Sequence, residues 1–163
     1  MYEPYVTDNY SGSMGNFMAR SFKLDDNEGH FCHSNSDGSE CEIFGYMILH
    51  DKEPLKLLYI TDCQFIKWRF RDINNMILGV DYDDSLVDES NRAKSLHIYS
   101  GHLSLDTACD FIRATDNKHT LNNLIIGHMS DTASDRALYL EKLTRATLCN
   151  IRFARKGDSY ELL

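Results

Sequence analysis

The feature that most constrains the fold of this chain is an apolar run that ends in a histidine. Residues 122–135 read N-N-L-I-I-G-H-M-S-D-T-A-S-D, so leucine and isoleucine give way at once to glycine and then to His128. A short apolar run bounded by turn-forming residues is typical of a strand that is buried on both faces. We therefore predict a buried strand over residues 121–126, with His128 just beyond its carboxyl end.

The same motif recurs as S-G-H-L-S, where His102 takes the place of His128. The apolar run K-L-L-Y-I-T leads directly into Asp62, and the run H-F-C leads into His33. We predict that His33, Asp62 and His102 also lie at strand ends. Ligands of open α/β sheets bind beyond the carboxyl ends of the strands, so these four residues are candidates for one functional site.

The order of the predicted elements indicates an α/β fold in a single domain over residues 1–163. Ser104 is a good N-cap for a helix over residues 105–114, and Ser134 for a longer helix to about Thr147, because apolar residues recur in both with helical spacing. Strands followed by alternating helices and strands predict a sheet with helices over one face. The predicted strands are 17–24, 30–33, 41–49, 55–60, 75–80, 121–126, 150–154 and 159–162, and strands 41–49 and 55–60 are predicted to form a β-hairpin.

Composition and charge exclude several classes of protein. A formal net charge of -8 repels phosphate backbones, which argues against a broad basic surface for nucleic acid. The 5 cysteines are odd in number and form no C-x-x-C pair, which argues against a disulfide framework and predicts a cytoplasmic protein with reduced thiols. No apolar window approaches the roughly 18–20 residues that cross a bilayer, so we expect no membrane contact.

The candidate residues are suited to metal binding. Imidazole and carboxylate groups form the ligand set that zinc, manganese and iron use in proteins. Each residue alone also has an ordinary structural explanation, as a loop residue, a turn cap or a hydrogen-bonded core histidine. The repeated G-H-(L/M)-S motif favours a shared metal site over unrelated structural roles.

A second stretch has two interpretations. Residues 67–71 read K-W-R-F-R, which combines basic and aromatic side chains. Such a stretch can contact phosphate and stack on bases, as in proteins that bind single strands. It also suits an amphipathic surface segment, which is the interpretation that we favour.

Three segments of the chain together resemble metallo-β-lactamase-fold hydrolases. They read K-L-L-Y-I-T-D at residues 56–62, S-G-H-L-S-L-D-T-A at 100–108 and N-N-L-I-I-G-H-M-S-D-T-A-S-D at 122–135. The branch that they resemble is the phosphodiesterase-like set related to ribonuclease Z. The resemblance implies an αββα sandwich, of which this chain would form the carboxyl-terminal portion, a mixed sheet with helices on one face.

The resemblance also implies a role for each candidate residue. An aspartate at the position of Asp62 bridges two divalent metal ions in that family, and zinc is expected ahead of manganese or iron. His128 matches a metal ligand, and His33, with His30 as its rival, matches a ligand of the first metal. His102 matches a histidine that is not a ligand and that assists proton transfer to the leaving group of a phosphodiester or another hydrolysable substrate.

Two departures from the family pattern bear on function. The hallmark H-x-H-x-D-H cluster, which supplies most ligands of the first metal, is absent from the 163 residues. The family also places an acidic residue where it orients the imidazole that matches His102. Gly79 stands nearest that place, with Asp81 two residues further on, so the resemblance implies an altered proton relay here.

These departures predict an amino-terminally truncated member of the family. Such a chain would bind its two metal ions weakly and would be inactive alone, because tight zinc sites need three or four protein ligands. The missing amino-terminal half, or a second copy of the chain, would cover the sheet face that is left exposed. The alternative function is a metal-free binding or regulatory module that has kept the fold and lost catalysis.

Overall fold

The computed structural model describes residues 11–24, 33–34 and 39–162, and a mixed β-sheet dominates this part of the chain. The strands are Ser11–Met14 (β1), Phe17–Lys23 (β2), His33–Ser34 (β3), Glu40–Cys41 (β4), Phe44–His50 (β5), Lys56–Ile60 (β6), Asn75–Gly79 (β7), Asn123–Gly127 (β8) and Asn150–Phe153 (β9). Seven of them form one sheet in the order β1-β2-β5-β6-β7-β8-β9, and β3 pairs with β4 in a separate ribbon. The helices are Arg92–Gly101 (α1), Leu105–Thr115 (α2) and Arg136–Thr144 (α3), with one short 3-10 turn at Asp84–Leu86.

The large sheet has an antiparallel half and a parallel half. Strands β1, β2, β5 and β6 pair antiparallel, which confirms the predicted hairpin of β5 and β6. Strands β6, β7, β8 and β9 pair parallel. Because parallel strands run in the same direction, the carboxyl ends of β6, β7 and β8 meet at one edge of the sheet. Residues that follow these three strands are therefore brought close together.

Helices α2 and α3 cover one face of the sheet, as the sequence predicts. Leu58, Met76 and Leu124 lie side by side in register on β6, β7 and β8, and all three are 0% exposed. Ile112 of α2 and Leu143 of α3 belong to the same buried cluster. Full burial of an apolar side chain of this size contributes roughly 1.5–3 kcal/mol, so this layer accounts for much of the stability of the fold.

The caps of the two helices explain where each begins. Ser104 accepts a hydrogen bond from Thr107 N at the start of α2, which confirms the predicted cap. The predicted cap of α3 is wrong by one residue, because Asp135 accepts the hydrogen bond from Leu138 N at 2.8 Å. The Ser134 hydroxyl instead donates to Ser130 O at 2.6 Å, within the turn that precedes the helix. The helix also ends at Thr144, earlier than predicted.

Two further predictions about regular structure differ from the observed fold. Residues 159–162 form no strand, and Tyr160 is instead tied to the end of β9 by a hydrogen bond from its hydroxyl to Phe153 O at 3.2 Å. The segment 92–101 is a helix that the sequence analysis did not predict. It consists mainly of polar and small residues without a clear apolar face, so the periodicity that identifies α2 is missing.

Cys41, Cys63, Cys109 and Cys149, the cysteines that the structure describes, are free. Among the described helices, none combines the length and the apolarity needed to span a lipid bilayer.

Candidate metal centre

Asp62 and His128 lie on either side of β7, at the carboxyl edge of the parallel half of the sheet. Asp62 follows the end of β6 by two residues, and His128 directly follows β8. Both have a positive φ angle, 57° for Asp62 and 56° for His128. This left-handed conformation is uncommon for residues other than glycine, and such strain is concentrated at functional sites. At both residues it ends the extended geometry of the strand.

The two side chains meet above the end of β7. His128 Nε2 lies 2.8 Å from Asp62 Oδ1. Neighbouring strands are about 4.8 Å apart, so the backbones of β6 and β8 are separated by roughly 10 Å, and the side chains close this gap. The side chains are 42% exposed in His128 and 32% exposed in Asp62, so the pair is open to solvent and to a ligand.

His102 completes the cluster, although it does not follow a strand as predicted. It lies in the short link between α1 and α2, because the run before it folds as a helix. A single parallel bridge between Tyr82 and Ser104 fixes this link to the chain that leaves β7. The rings of His102 and His128 stack with their centroids 5.5 Å apart.

A small apolar cluster holds α1 beyond the edge of the sheet and so fixes the position of His102. Tyr82 packs against Ile98 of α1 and against Ala133 in the loop after β8. Burial raises the pKa of Tyr82 to about 12, and the nearby carboxylate of Asp84 adds to the shift. The phenol therefore stays neutral at physiological pH and acts as a packing group.

Asp81 provides the carboxylate partner of His102. His102 Nδ1 lies 3.0 Å from Asp81 Oδ2, and both side chains are largely buried. Gly79 stands where the family has an acidic residue, but Asp81, two residues further along the chain, still gives the imidazole of His102 an acidic neighbour. Because Nδ1 of His102 faces Asp81, Nε2 is the ring nitrogen that is available to the metal centre.

The donor atoms of Asp62, His102 and His128 all lie within 4.8 Å of one another. One carboxylate oxygen and two imidazole nitrogens form a donor set that fits zinc and other first-row divalent metals. The structure therefore brings together three of the four residues selected from the sequence. The position of His102 suits both a third ligand and a proton donor.

A close backbone approach explains the glycine at the end of β7. A Cβ atom at Gly79 would lie 3.0 Å from Thr61 Cα, whereas ordinary contacts are 3.4 Å or longer. Thr61 directly precedes Asp62, so the absence of a side chain at Gly79 allows the end of β6 to lie against β7.

An ion pair between a partly exposed lysine and a buried carboxylate anchors the loop that carries Asp81. Lys142 of α3 donates from Nζ to Asp83 Oδ2 at 2.6 Å and to Asp106 Oδ1 at 2.9 Å. Burial by itself would raise the pKa of Asp83, but hydrogen bonds from Lys142 and Ser85 hold that pKa below its ordinary value. The bond to Asp83 in turn raises the pKa of Lys142. The sequence analysis missed this pair, since nothing in the spacing joins residues 59 apart.

The fourth predicted residue, His33, lies apart from the large sheet. It belongs to β3, which pairs with β4 in the two-stranded ribbon, with His33 opposite Cys41. The structure describes the backbone of His33 and not its side chain, and its rival His30 lies outside the described residues. The role of either histidine as a ligand stays a prediction.

A cleft of about 520 Å³ opens beside His128, between the loop after β8 and the start of α3. Its walls include Ser130, Asp131 and Arg136. Ser130 Oγ accepts a hydrogen bond from Ala133 N at 3.2 Å, which holds this loop in a tight turn. The volume lies within the range of small-molecule sites, so a substrate that reaches the cluster has room on this side.

The architecture defines the class of protein to which this fold belongs. The described sheet with its one-sided layer of helices corresponds to solved structures with the metallo-β-lactamase fold, and this chain has that fold, as its motifs imply. The chain is similar to the solved structure of unliganded yeast PDE1, with a TM-score of 0.63 and 14% identity. Another is the metallo-β-lactamase fold protein YhfI from Bacillus subtilis, with a TM-score of 0.56 and 11% identity.

The two matches cover most of this chain but only about half of each matched chain. Both cover 93% of this chain, but they cover 48% of the PDE1 chain and 52% of the YhfI chain. The chain therefore spans about half the length of the structures that it matches. Neither a protein-family model nor a curated protein sequence matches the chain. At this level of identity the comparison shows the fold alone.

Proposed function

We propose that this chain contributes half of the active centre of a metal-dependent hydrolase that acts on phosphodiesters. The observation that supports the proposal is the convergence of Asp62, His102 and His128 at one edge of the sheet. Asp62 and His128 would hold metal on this chain, and the resemblance implies that two ions, zinc ahead of manganese or iron, would share Asp62. His33 is a further ligand, as the sequence resemblance implies.

The chain's own residues have separate tasks in this proposal. A divalent ion held here would supply Lewis-acid polarisation of a phosphoryl oxygen and would make a nearby water more acidic. Asp62 and His128 hold their donor atoms at the solvent-exposed edge, where a substrate can approach. His102 transfers a proton to the leaving oxygen through Nε2, and Asp81 stabilises the protonated imidazole from behind, as carboxylate partners of catalytic histidines do.

The ligand set on this chain is too small for a tight two-metal site. Structural and catalytic zinc ions take three or four protein ligands each. Two ions that share Asp62, with one histidine on each side, have only two protein ligands apiece. We propose that the remaining ligands come from a segment bearing H-x-H-x-D-H that packs against this chain and covers the second face of its sheet.

Phosphodiesters are the proposed substrate class because of the resemblance to the phosphodiesterase-like branch. Ester, lactam and thioester hydrolysis can be carried out on the same scaffold, so the fold alone does not select among them. The cleft beside His128 offers serine hydroxyls and the guanidinium of Arg136, which suit a polar substrate.

The proposal is tested by joining the chain to an upstream segment that carries H-x-H-x-D-H. The joined protein should bind about two zinc ions per chain and hydrolyse bis(p-nitrophenyl) phosphate, while the present chain should do neither efficiently. His102→Ala in the joined protein should slow turnover and leave the zinc content unchanged. Asp62→Asn should remove the metal and the activity together.

Three results would overturn parts of this proposal. Tight binding of two zinc ions and efficient turnover by the present chain would show that the centre is complete without a second segment. Failure of the joined protein to bind zinc would remove the hydrolase proposal. Zinc binding without hydrolysis of any ester would favour the alternative, a non-catalytic binding module.

A further inference from the structure

A second cleft lies at the opposite edge of the parallel half of the sheet. It has a volume of about 480 Å³ and is formed by the segment before β7 together with the end of α2 and the loop that follows. The metal centre is at the carboxyl ends of the same strands. A strand of five residues is roughly 17 Å long, so the two sites are separated by at least that distance. We call this second site the basic cleft, defined by Arg69, Arg71, Lys118 and Thr115.

The basic cleft concentrates positive charge in an acidic protein. Arg69 and Arg71 lie two residues apart in an extended segment, both exposed, with the buried Phe70 between them. Both arginines line the same cleft. Within the described part of the chain, neither side chain has a carboxylate within ion-pair distance. The whole chain carries a net charge of -8, so this local excess is unusual.

The remaining charges of the cleft leave it positive. Lys118 comes from the loop after α2, and its Nζ lies 3.8 Å from Asp72 Oδ1, near the limit for an ion pair. Asp72 is the one acidic residue among those that line the cleft. Three cations against one carboxylate give the cleft a local charge of about +2 at neutral pH.

A buried hydroxyl in the wall of the cleft adds an independent observation. Thr115 is 4% exposed, and its Oγ1 has no hydrogen-bond partner within the described chain. A buried polar group without a partner destabilises a protein, so such groups usually have a functional explanation or an unseen partner.

We propose that the basic cleft binds a phosphate group, at a site separate from the metal centre. Guanidinium groups recognise the oxygens of phosphate with paired, charge-assisted hydrogen bonds, and a threonine hydroxyl can donate a further bond. The phosphate can belong to a free nucleotide or to the backbone of a nucleic acid strand, which present the same chemistry. The proposal does not depend on hydrolysis at the metal centre.

The test is a titration of the full chain with inorganic phosphate, followed by NMR spectra of the backbone amides at low ionic strength. Saturable shifts are expected at residues 69–72 and 115–120 and not around Asp62. Replacing both arginines, Arg69→Gln with Arg71→Gln, should weaken the affinity by about tenfold or more. The matched control is Arg155→Gln with Lys156→Gln, which removes two exposed charges elsewhere and should change the affinity by less than about twofold.

Thr115→Val tests the hydroxyl with little change of shape. It should weaken phosphate binding severalfold while the melting temperature holds or rises, because the unpaired buried oxygen is removed. An unchanged affinity in this variant would remove Thr115 from the site. Absence of saturable shifts at the cleft, or an equal loss in the Arg155 and Lys156 control, would overturn the proposal.

Two further titrations identify the source of the phosphate. Adenosine monophosphate and a short oligothymidylate are compared with inorganic phosphate at equal phosphate concentration. Tighter binding of the oligonucleotide, weakened roughly tenfold between 50 and 200 mM salt, would identify a nucleic acid backbone. Tighter binding of the mononucleotide would identify a free nucleotide.

Discussion

A methyl group added at Gly79 tests how the end of β6 is held in place beside the centre. The new Cβ would lie 3.0 Å from Thr61 Cα and 3.2 Å from Thr61 Cβ, so the backbone of one strand must move by a few tenths of an ångström. Overpacking costs typically about 1–3 kcal/mol, and we expect about 1–2 kcal/mol for Gly79→Ala because the overlap is small. Thr61 precedes Asp62, so zinc affinity should fall as well.

Gly127 provides a matched control for this substitution. It pairs with Gly79 across β7 and β8 and directly precedes His128. A Cβ atom there would meet only Ala154 Cβ at 3.7 Å, an ordinary contact. Gly127→Ala should therefore be neutral or stabilising by about 0.4–1 kcal/mol, since it restricts the unfolded chain.

Thermal unfolding followed by circular dichroism separates the two variants. For a chain of this size, 1 kcal/mol corresponds to roughly 2–4 °C in Tm. Gly79→Ala should therefore melt about 2–8 °C below the wild type, and Gly127→Ala at or slightly above it. If both variants had the wild-type Tm and zinc affinity, the close approach of Thr61 would not position Asp62.

Three other predictions concern buried polar groups. Lys142→Met leaves the Asp83 carboxylate buried without its cation and should lower the free energy of unfolding in urea by about 2–4 kcal/mol. Adding Asp83→Asn to this variant should recover part of the loss. No recovery would show that the unpaired charge is not the cause. Because the pKa of Asp83 is lowered in the folded protein, its stabilisation is complete above the unfolded pKa and is lost as pH falls through the folded pKa. Asp83→Asn should therefore flatten the acid side of a plot of unfolding free energy against pH. Thr147→Val removes the hydroxyl that donates to the buried Asp116 Oδ2 at 2.6 Å and should cost about 1–3 kcal/mol, whereas an unchanged unfolding midpoint would contradict this account of the bond.

The sequence predicts the layered fold well because the patterns that identify its strands and helices each lie within a short segment of the chain. The apolar runs that become β6, β7 and β8 are short and uninterrupted, and the pattern of α2 has helical spacing with a serine cap. These signals place Asp62 and His128 at strand ends correctly. Parallel pairing of β7, β8 and β9 then follows from the helices between them, whereas β6 and β7 are joined by a segment without a helix.

The parts that the sequence does not predict depend on contacts between distant segments. The helix α1 has no apolar periodicity of its own, and its Ile98 is buried only because Tyr82 and Ala133 meet it. For that reason His102 was assigned to a strand end, although it follows a helix. The contact between Asp81 and His102 likewise requires the parallel bridge that joins two loops, which no local pattern encodes.

Zinc titration calorimetry on the present chain tests the central claim, that Asp62 and His128 form half of a metal centre. The account predicts weak zinc binding, because this chain supplies few ligands and the metal takes the place of the contact between His128 Nε2 and Asp62 Oδ1. Binding should be lost in Asp62→Asn and in His128→Ala and kept in His102→Ala. Zinc binding that is equal in the wild type and in Asp62→Asn would contradict the claim, and loss of binding in His102→Ala would show that this histidine is a ligand.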